Sequence, residues 1–229
     1  MSVEELGVTL VTGVVNESTL KVLRAEVDRI SDEAGSACVR QLLGRSAILQ
    51  SWLKEMMLSE LLTRGNRVVK PLRAVRSILF NKTAEENWPV AWHQDLTIAV
   101  DRKVEVDGYG PWSDKAGVVH VQPPSEVLES IVTLRLHLDD TPEENGALWC
   151  VPKSHSMGRL PHAQVSEVVK QSEPQCYSCL AGDVLLMKPM ILHASKRVIK
   201  PAQRRVIHVE FAPEKVLDSR LQWSESAVQ

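Results

Sequence analysis

His93 and Asp95 stand two apart in the stretch Ala91-Trp92-His93-Gln94-Asp95-Leu96, just ahead of an apolar run. Along an extended strand, residues i and i+2 point to the same face. The pair therefore presents an imidazole nitrogen and a carboxylate oxygen together, with Gln94 turned away. Taken alone, the spacing favours an ordinary strand histidine capped by its neighbour over two ligands of a metal. A third donor is available in His193, which follows a turn at Gly182-Asp183, a strand over 184–188 and a break at Pro189. Two histidines and one carboxylate on one side of a metal leave three positions open, the arrangement of non-haem Fe(II) oxygenases. Zinc accepts the same ligands, so donor type alone does not choose the metal.

The residues after His193 reverse the odds. Ser195 lies two positions on, and Arg204 opens an alternating strand. There Arg204, Val206, His208 and Glu210 share one face, and Arg205, Ile207, Val209 and Phe211 the other. A mostly polar face inside a sheet sandwich is costly unless it lines a wet or ligand-filled cavity. A guanidinium in such a cavity can hold a carboxylate through two parallel hydrogen bonds, which a lysine cannot do. Ser195 can donate a third. Arg205 is expected on the surface, facing solvent.

These side chains need a scaffold, and the chain is of the right size and composition to supply one. It has 229 residues, 44% hydrophobic and 24% charged, with a formal net charge of −2. Length and composition fit a single domain over 1–229 with a substantial core. Basic and acidic residues interleave, which excludes the clustered cationic surface of a nucleic-acid binder and favours a small-molecule partner. No stretch approaches the roughly 20 apolar residues of a membrane span. The N-terminal segment carries acids where a signal peptide needs basic residues. Four cysteines without a secretion signal read as reduced thiols, so a cytoplasmic location is expected. Cys176 and Cys179 lack two further ligands at zinc spacing and read as strand thiols.

Residues 8–15 alternate weakly and predict a strand. A helix follows, capped by Asn16 or Ser18, with Leu20, Leu23, Val27 and Ile30 on one face and Gly35 at its end. A second helical zone over about 46–63 carries a stripe of Ile48, Leu49, Trp52, Leu53, Met56 and Met57. Beyond Pro71 short β-branched and apolar runs alternate with turn residues, as in a sandwich or barrel. The expected fold is mainly β with flanking α-helices: a helical part over 16–65 and a jelly-roll core over about 70–212. Residues 101–128 form the longest irregular segment, expected to be a lid or substrate loop.

In order, the segments "GVTLVTGVVNESTLKVLRAEVD", "WHQDL", "LHLDDTPEENGALWCVPKSH", "GDVLLMKPMILHAS" and "RRVIHVEF" resemble the phytanoyl-CoA dioxygenase family of Fe(II)/2-oxoglutarate oxygenases, over roughly residues 5–212. The resemblance implies a double-stranded β-helix, a cupin-like form of jelly roll. It makes His93, Asp95 and His193 the iron ligands, and Arg204 and Ser195 the residues holding the distal carboxylate of 2-oxoglutarate. Lys82 is a looser match to a cosubstrate-contacting lysine. Two departures stand out. The chain has Pro-Lys-Ser-His (Pro152 to His155) where the family often has Pro-Gly-Ser-His, and Arg135 lies where an aromatic is common. Thr133, Arg135 and His137 share a face, so Arg135 is a candidate contact for 2-oxoglutarate or an acidic substrate, with a buried ion pair as the alternative.

By the same resemblance the cofactors are Fe(II), 2-oxoglutarate and O2. The implied reaction is hydroxylation of a C–H bond in a small metabolite or natural-product intermediate, releasing succinate and CO2, with desaturation or cyclisation as variants. Relatives that halogenate lack the carboxylate ligand, so Asp95 argues for oxygenation. Trp112, His120, Gln122 and Trp149 are the substrate-contact candidates, each with a plain core or surface role as its alternative. Two rival functions use the same triad: a cupin-like binding protein without turnover, and a zinc-dependent hydrolase or isomerase.

Overall fold

The computed structural model describes residues 2–56, 61, 72–82, 88–197 and 203–225. A one-turn helix α1 (Val3–Leu6) leads into strand β1 (Val8–Val11) and helix α2 (Glu17–Ala34). The expected strand over 8–15 stops at Val11 because Gly13 turns the chain (φ 62°) and donates its N–H to Asp183 at 2.9 Å. Asn16 caps α2 by accepting the Thr19 N–H at 3.0 Å, and Gly35 ends it in the left-handed conformation. Leu20, Leu23, Val27 and Ile30 are all buried, as their spacing requires.

After strand β2 (Cys38–Arg40), helix α3 (Ala47–Glu55) is capped by the Ser46 hydroxyl. It buries Leu49 and Leu53, leaves Trp52 and Met56 half-buried, and turns Ile48 to solvent. Met57, the last member of the expected stripe, lies outside the described residues. The remaining elements are β3 (Arg73–Lys82), β4 (Val90–His93), β5 (Ile98–Val100), β6 (Trp112–Lys115), β7 (Val118–Val121), helix α4 (Ser125–Ser130), β8 (Val132–His137), β9 (Leu148–Cys150), helix α5 (His162–Lys170), β10 (Gln175–Tyr177), β11 (Val184–Met187), β12 (His193–Ser195) and β13 (Arg204–Ala212).

These strands form three open antiparallel sheets flanked by helices, a mixed α/β arrangement. The six-stranded sheet runs β1-β11-β8-β13-β3-β2, the four-stranded sheet β10-β9-β12-β4, and the three-stranded sheet β5-β7-β6. Alternation along each strand separates two environments. Leu134, Leu136, Val184, Leu186, Ile207 and Val209 pack with Leu79 against the apolar stripe of α2 and α3. Leu185 and Met187 point the other way and meet Leu148, Cys150 and Ile191 of the four-stranded side. Truncating one of these fully buried leucines to alanine is expected to cost about 2–5 kcal/mol.

Within residues 101–128, the segment 101–111 is irregular and a paired hairpin follows it. β6 and β7 form a hairpin that pairs with β5, and its buried face packs with Val127, Leu128 and Trp223. The turn takes positive φ at two successive residues, Ala116 (55°) and Gly117 (77°). Hairpins favour that geometry, but Asn-Gly or Asp-Gly usually announces it, and the alanine hid it. Lys153 is also left-handed, with φ 68°, at the position where the resembled family often has glycine. Its N–H donates to the Leu6 carbonyl at 2.8 Å, fastening this turn to α1.

Candidate active site

β4 ends at His93 and β12 begins at His193, and the two residues are direct antiparallel partners. Their imidazole centroids lie 4.2 Å apart. Asp95 is not on the strand, as its spacing suggested, but two residues past its end. Its N–H donates to the Pro189 carbonyl at 2.9 Å. Gln94 points away and holds the bend, donating to the Met190 and Gly158 carbonyls at 2.7 and 2.8 Å and accepting the Leu160 N–H at 2.8 Å. The result is the convergence expected of a strand pair, reached by a bent connection.

Asp95 places one carboxylate oxygen 3.6 Å from His93 Nε2 and the other 3.6 Å from His193 Nε2. One donor atom from each of the three residues lies within 4.8 Å of the others. Both histidines are locked in one tautomer: His93 Nδ1 donates to the Ala91 carbonyl at 2.8 Å and His193 Nδ1 to that of Ile191 at 2.9 Å. Each Nε2 is thereby left facing Asp95, and the Nδ1 bond to a carbonyl fixes the ring plane as it does in metal-binding histidines. Burial pushes the His193 imidazole down to about 4. Burial alone would raise the Asp95 carboxyl, but His193 and His93 beside it hold it well below the usual carboxylate range. Two imidazole Nε2 atoms and an ionised carboxylate converging on one point fit a divalent cation.

The three donors form part of the wall of a cavity of about 160 Å³ between the six- and four-stranded sheets. Its floor is one face of β3, β8 and β13. Arg204 and Lys82 are register partners at one end of it. Arg204 is 4% exposed and donates to the Gly146 carbonyl, while its Nε has no hydrogen-bond partner. Burial, with Arg135 nearby, lowers its guanidinium to about 9. Lys82 Nζ donates to the Trp88 carbonyl at 2.5 Å and lies 3.4 Å from Ser195 Oγ. Burial together with Arg204 and Arg135 brings its ammonium down to about 7. Among the described residues neither cation has a carboxylate partner. A buried cation without a counter-ion is costly, and this pair with Ser195 could cradle an incoming carboxylate.

Arg135 also lines the cavity, as do Arg76, Phe80 and Trp88, which sequence reasoning did not single out. The signal for two of them was present, since Arg76, Ile78, Phe80 and Lys82 alternate along β3 and Lys82 was already a candidate. The four substrate-contact candidates are not brought to the cavity. Trp112 packs against the core beneath the three-stranded sheet. His120 is buried with Nδ1 donating to the Val118 carbonyl at 2.8 Å. The backbone of Gln122 pairs with Gly110 and Pro111. Trp149 lies under the Lys196 ammonium, 4.5 Å from its ring centroid. Arg205, expected at the surface, is 8% exposed: Asp139 takes two of its guanidinium nitrogens at 2.6 and 2.9 Å and Asp28 a third at 2.7 Å. Cys38, Cys150, Cys176 and Cys179 are free thiols. Among the described residues, no helix is long and apolar enough to cross a membrane.

Comparison with known proteins bears on the same region. The family model described as "Phytanoyl-CoA dioxygenase (PhyH)" matches residues 3–206. Among solved structures, the chain is similar to SnoK, a non-haem α-ketoglutarate-dependent carbocyclase from nogalamycin biosynthesis, with 19% identity and a TM-score of 0.71 over 93% of this chain and 81% of that one. HygX from Streptomyces hygroscopicus, solved with nickel and 2-oxoglutarate bound, gives 18% identity and 0.66 over 93% and 85%. AviO1 from Streptomyces viridochromogenes gives 20% and 0.65 over 94% of each chain. No curated protein matches the sequence.

Proposed function

The chain belongs to the phytanoyl-CoA dioxygenase family, a class of Fe(II)- and 2-oxoglutarate-dependent oxygenases, and from that premise we propose that it hydroxylates an unactivated C–H bond of a small natural-product intermediate. The observation that carries this reading is the juxtaposition in one cavity of the His93-Asp95-His193 donor set with a buried arginine that has no carboxylate partner among the described residues. A non-catalytic cupin-like protein would have no use for the second feature. The six- and four-stranded sheets face one another across the cavity, which supports a double-stranded β-helix built as one catalytic domain over 1–229. The similar solved structures include an enzyme of nogalamycin biosynthesis, which supports a natural-product substrate.

In this reading His93, Asp95 and His193 hold Fe(II). Arg204 and Ser195 hold the distal carboxylate of 2-oxoglutarate, with Lys82 beside them. When bound, the iron and its cosubstrate supply the oxidation, consuming O2 and releasing succinate and CO2 as the substrate C–H bond is oxidised. The protein's own part is orientation and exclusion of water. The Nδ1 bonds to Ala91 and Ile191 fix both imidazole planes before any ligand arrives. Asp95 occupies the place that a halide would need, which supports oxygen transfer over halogenation. The side chains of His93 and Asp95 are 38% and 29% exposed while that of His193 is 5% exposed, so substrate approaches from the side of the first two.

Anaerobic titration of the iron-loaded protein with 2-oxoglutarate tests this directly. Chelation is expected to produce a visible metal-to-ligand charge-transfer band. Stoichiometric iron without that band would overturn the oxygenase reading, and a screen for substrate-stimulated succinate release then identifies the substrate.

A further inference from the structure

The cavity floor holds a third buried cation that the cradle of Arg204, Ser195 and Lys82 does not use. Arg135, on β8, is the register partner of His208 on β13, and its Nη1 donates to His208 Nδ1 at 3.0 Å. Because a guanidinium can only donate, Nδ1 must accept, and the imidazole proton sits on Nε2. That Nε2 donates to Glu210 Oε1 at 3.3 Å, and the same oxygen accepts Arg76 Nη1 at 2.9 Å. Arg76 also reaches the Thr97 carbonyl, at 3.3 Å. The row therefore runs from Arg135 through His208 to Glu210, which accepts from both His208 and Arg76, and Arg76 anchors its far end to backbone. On its other side the Arg135 guanidinium lies over the Phe80 ring, 5.4 Å from the centroid.

Although thus fastened, Arg135 is not neutralised. It is 8% exposed, its Nε has no hydrogen-bond partner, and among the described residues no carboxylate pairs with it. Of the carboxylates around the cavity, Asp95 is the one whose charge acts on it. Arg76 and Glu210 pair with each other at 2.9 Å, whereas Arg135, like Arg204 and Lys82, has no carboxylate partner among the described residues.

We propose that Arg135 is a second carboxylate-binding site in this cavity, separate from the Arg204 cradle, with His208 and Glu210 as positioning residues that aim its open donors. The inference rests on the 2-oxoglutarate reading of the pocket. Its ligand is a carboxylate brought beside the metal-binding triad, and two molecules can supply one: the C-1 end of 2-oxoglutarate, or an acidic primary substrate. A bidentate guanidinium serves either.

Calorimetry on the Zn(II)-loaded protein, which binds without turnover, tests the site and separates the two sources. The ligands are 2-oxoglutarate, 2-oxopentanoate (which keeps the C-1 carboxylate and lacks the distal one), and propionate added to the 2-oxoglutarate-saturated protein. If the C-1 carboxylate is held, Arg135→Gln weakens both 2-oxo acids by the same factor, about 10- to 100-fold for a charge-assisted pair. Arg204→Gln then weakens 2-oxoglutarate alone. If the substrate carboxylate is held, Arg135→Gln leaves both 2-oxo acids unchanged and abolishes propionate binding. His208→Asn, which keeps the guanidinium and removes its fastening, is expected to reproduce the affected arm at about threefold. Arg135→Lys, which keeps the charge without the fork, should fall between wild type and Arg135→Gln. These two variants carry the test if Arg135→Gln does not fold. Affinities for all three ligands that are independent of Arg135 overturn the proposal. Failure of the wild-type protein to bind 2-oxoglutarate overturns instead the reading of the pocket on which it stands.

Discussion

Arg204 and Arg205 are adjacent on β13, both buried, and opposite in circumstance. Arg205 points toward the helical side and is saturated by Asp139 and Asp28. Arg204 points into the cavity with an unbonded Nε and no carboxylate among the described residues. The same contrast extends along the strand: Ile207, Val209 and Phe211 join the helix-facing core, while His208 and Glu210 line the cavity. A saturated buried arginine is part of the structure, and an unsaturated one is kept for something that arrives from outside. Removing one partner of a buried pair leaves an uncompensated charge, whereas removing a lone buried cation relieves one.

The largest effect should come from the cavity wall that Arg204 faces. His93→Ala is expected to reduce iron affinity by more than about 100-fold, since even losing a group that only orients a metal ligand reaches that size. Metal analysis after dialysis checks this, and retained stoichiometric iron would remove His93 from the ligand set. Next, Arg205→Ala should destabilise the fold by about 3 kcal/mol, read by urea unfolding, with 2-oxoglutarate affinity unchanged in the folded fraction. Arg204→Gln should do the reverse, weakening 2-oxoglutarate about 10- to 100-fold while leaving the ligand-free protein as stable as before or more so. If Arg204→Gln destabilises as Arg205→Ala does, the distinction between the two faces fails.

The smallest effect concerns another buried charge without a full ion pair. Glu225 is 6% exposed, accepts the Ser77 hydroxyl at 2.7 Å, and is pushed up by burial to about 7 from an ordinary 4.5. Glu210 nearby adds to the rise and Arg76 opposes it. A carboxyl that holds its proton more tightly when folded contributes stability that is present below 4.5 and lost as pH rises through about 7. Melting temperatures should therefore decline across that window, and Glu225→Gln should flatten the decline. An unchanged slope would mean that the group ionises without cost where it sits.

Much of this molecule is legible in its residues. The capped helix from Asn16 to Gly35 follows from helical spacing and end chemistry, and the polar alternation from Arg204 to Glu210 announces a cavity-lining face. His93, Asp95 and His193 stand out because their residue types have few other reasons to recur around apolar strands. Within residues 101–128 the hairpin was less transparent, because Ala116 occupies its turn without the usual asparagine or aspartate. Trp112, His120 and Gln122 were chosen from that segment and Trp149 from another strand, and none of the four lines the cavity. Arg205 was misplaced for a different reason: its partners Asp28 and Asp139 are far away in sequence, and nothing local shows that they return to it.

By itself the sequence determined the donor types, the two periodicities and the helix ends, because these depend on side-chain chemistry and on contacts a few residues apart. Tertiary structure alone decided which charges find partners. The cross-strand meeting of His93 with His193, the clamp on Arg205, and the bare guanidiniums of Arg204 and Arg135 all depend on β-pairings between distant segments. Burial then sets the cost of each charge, and burial is a property of the packed chain.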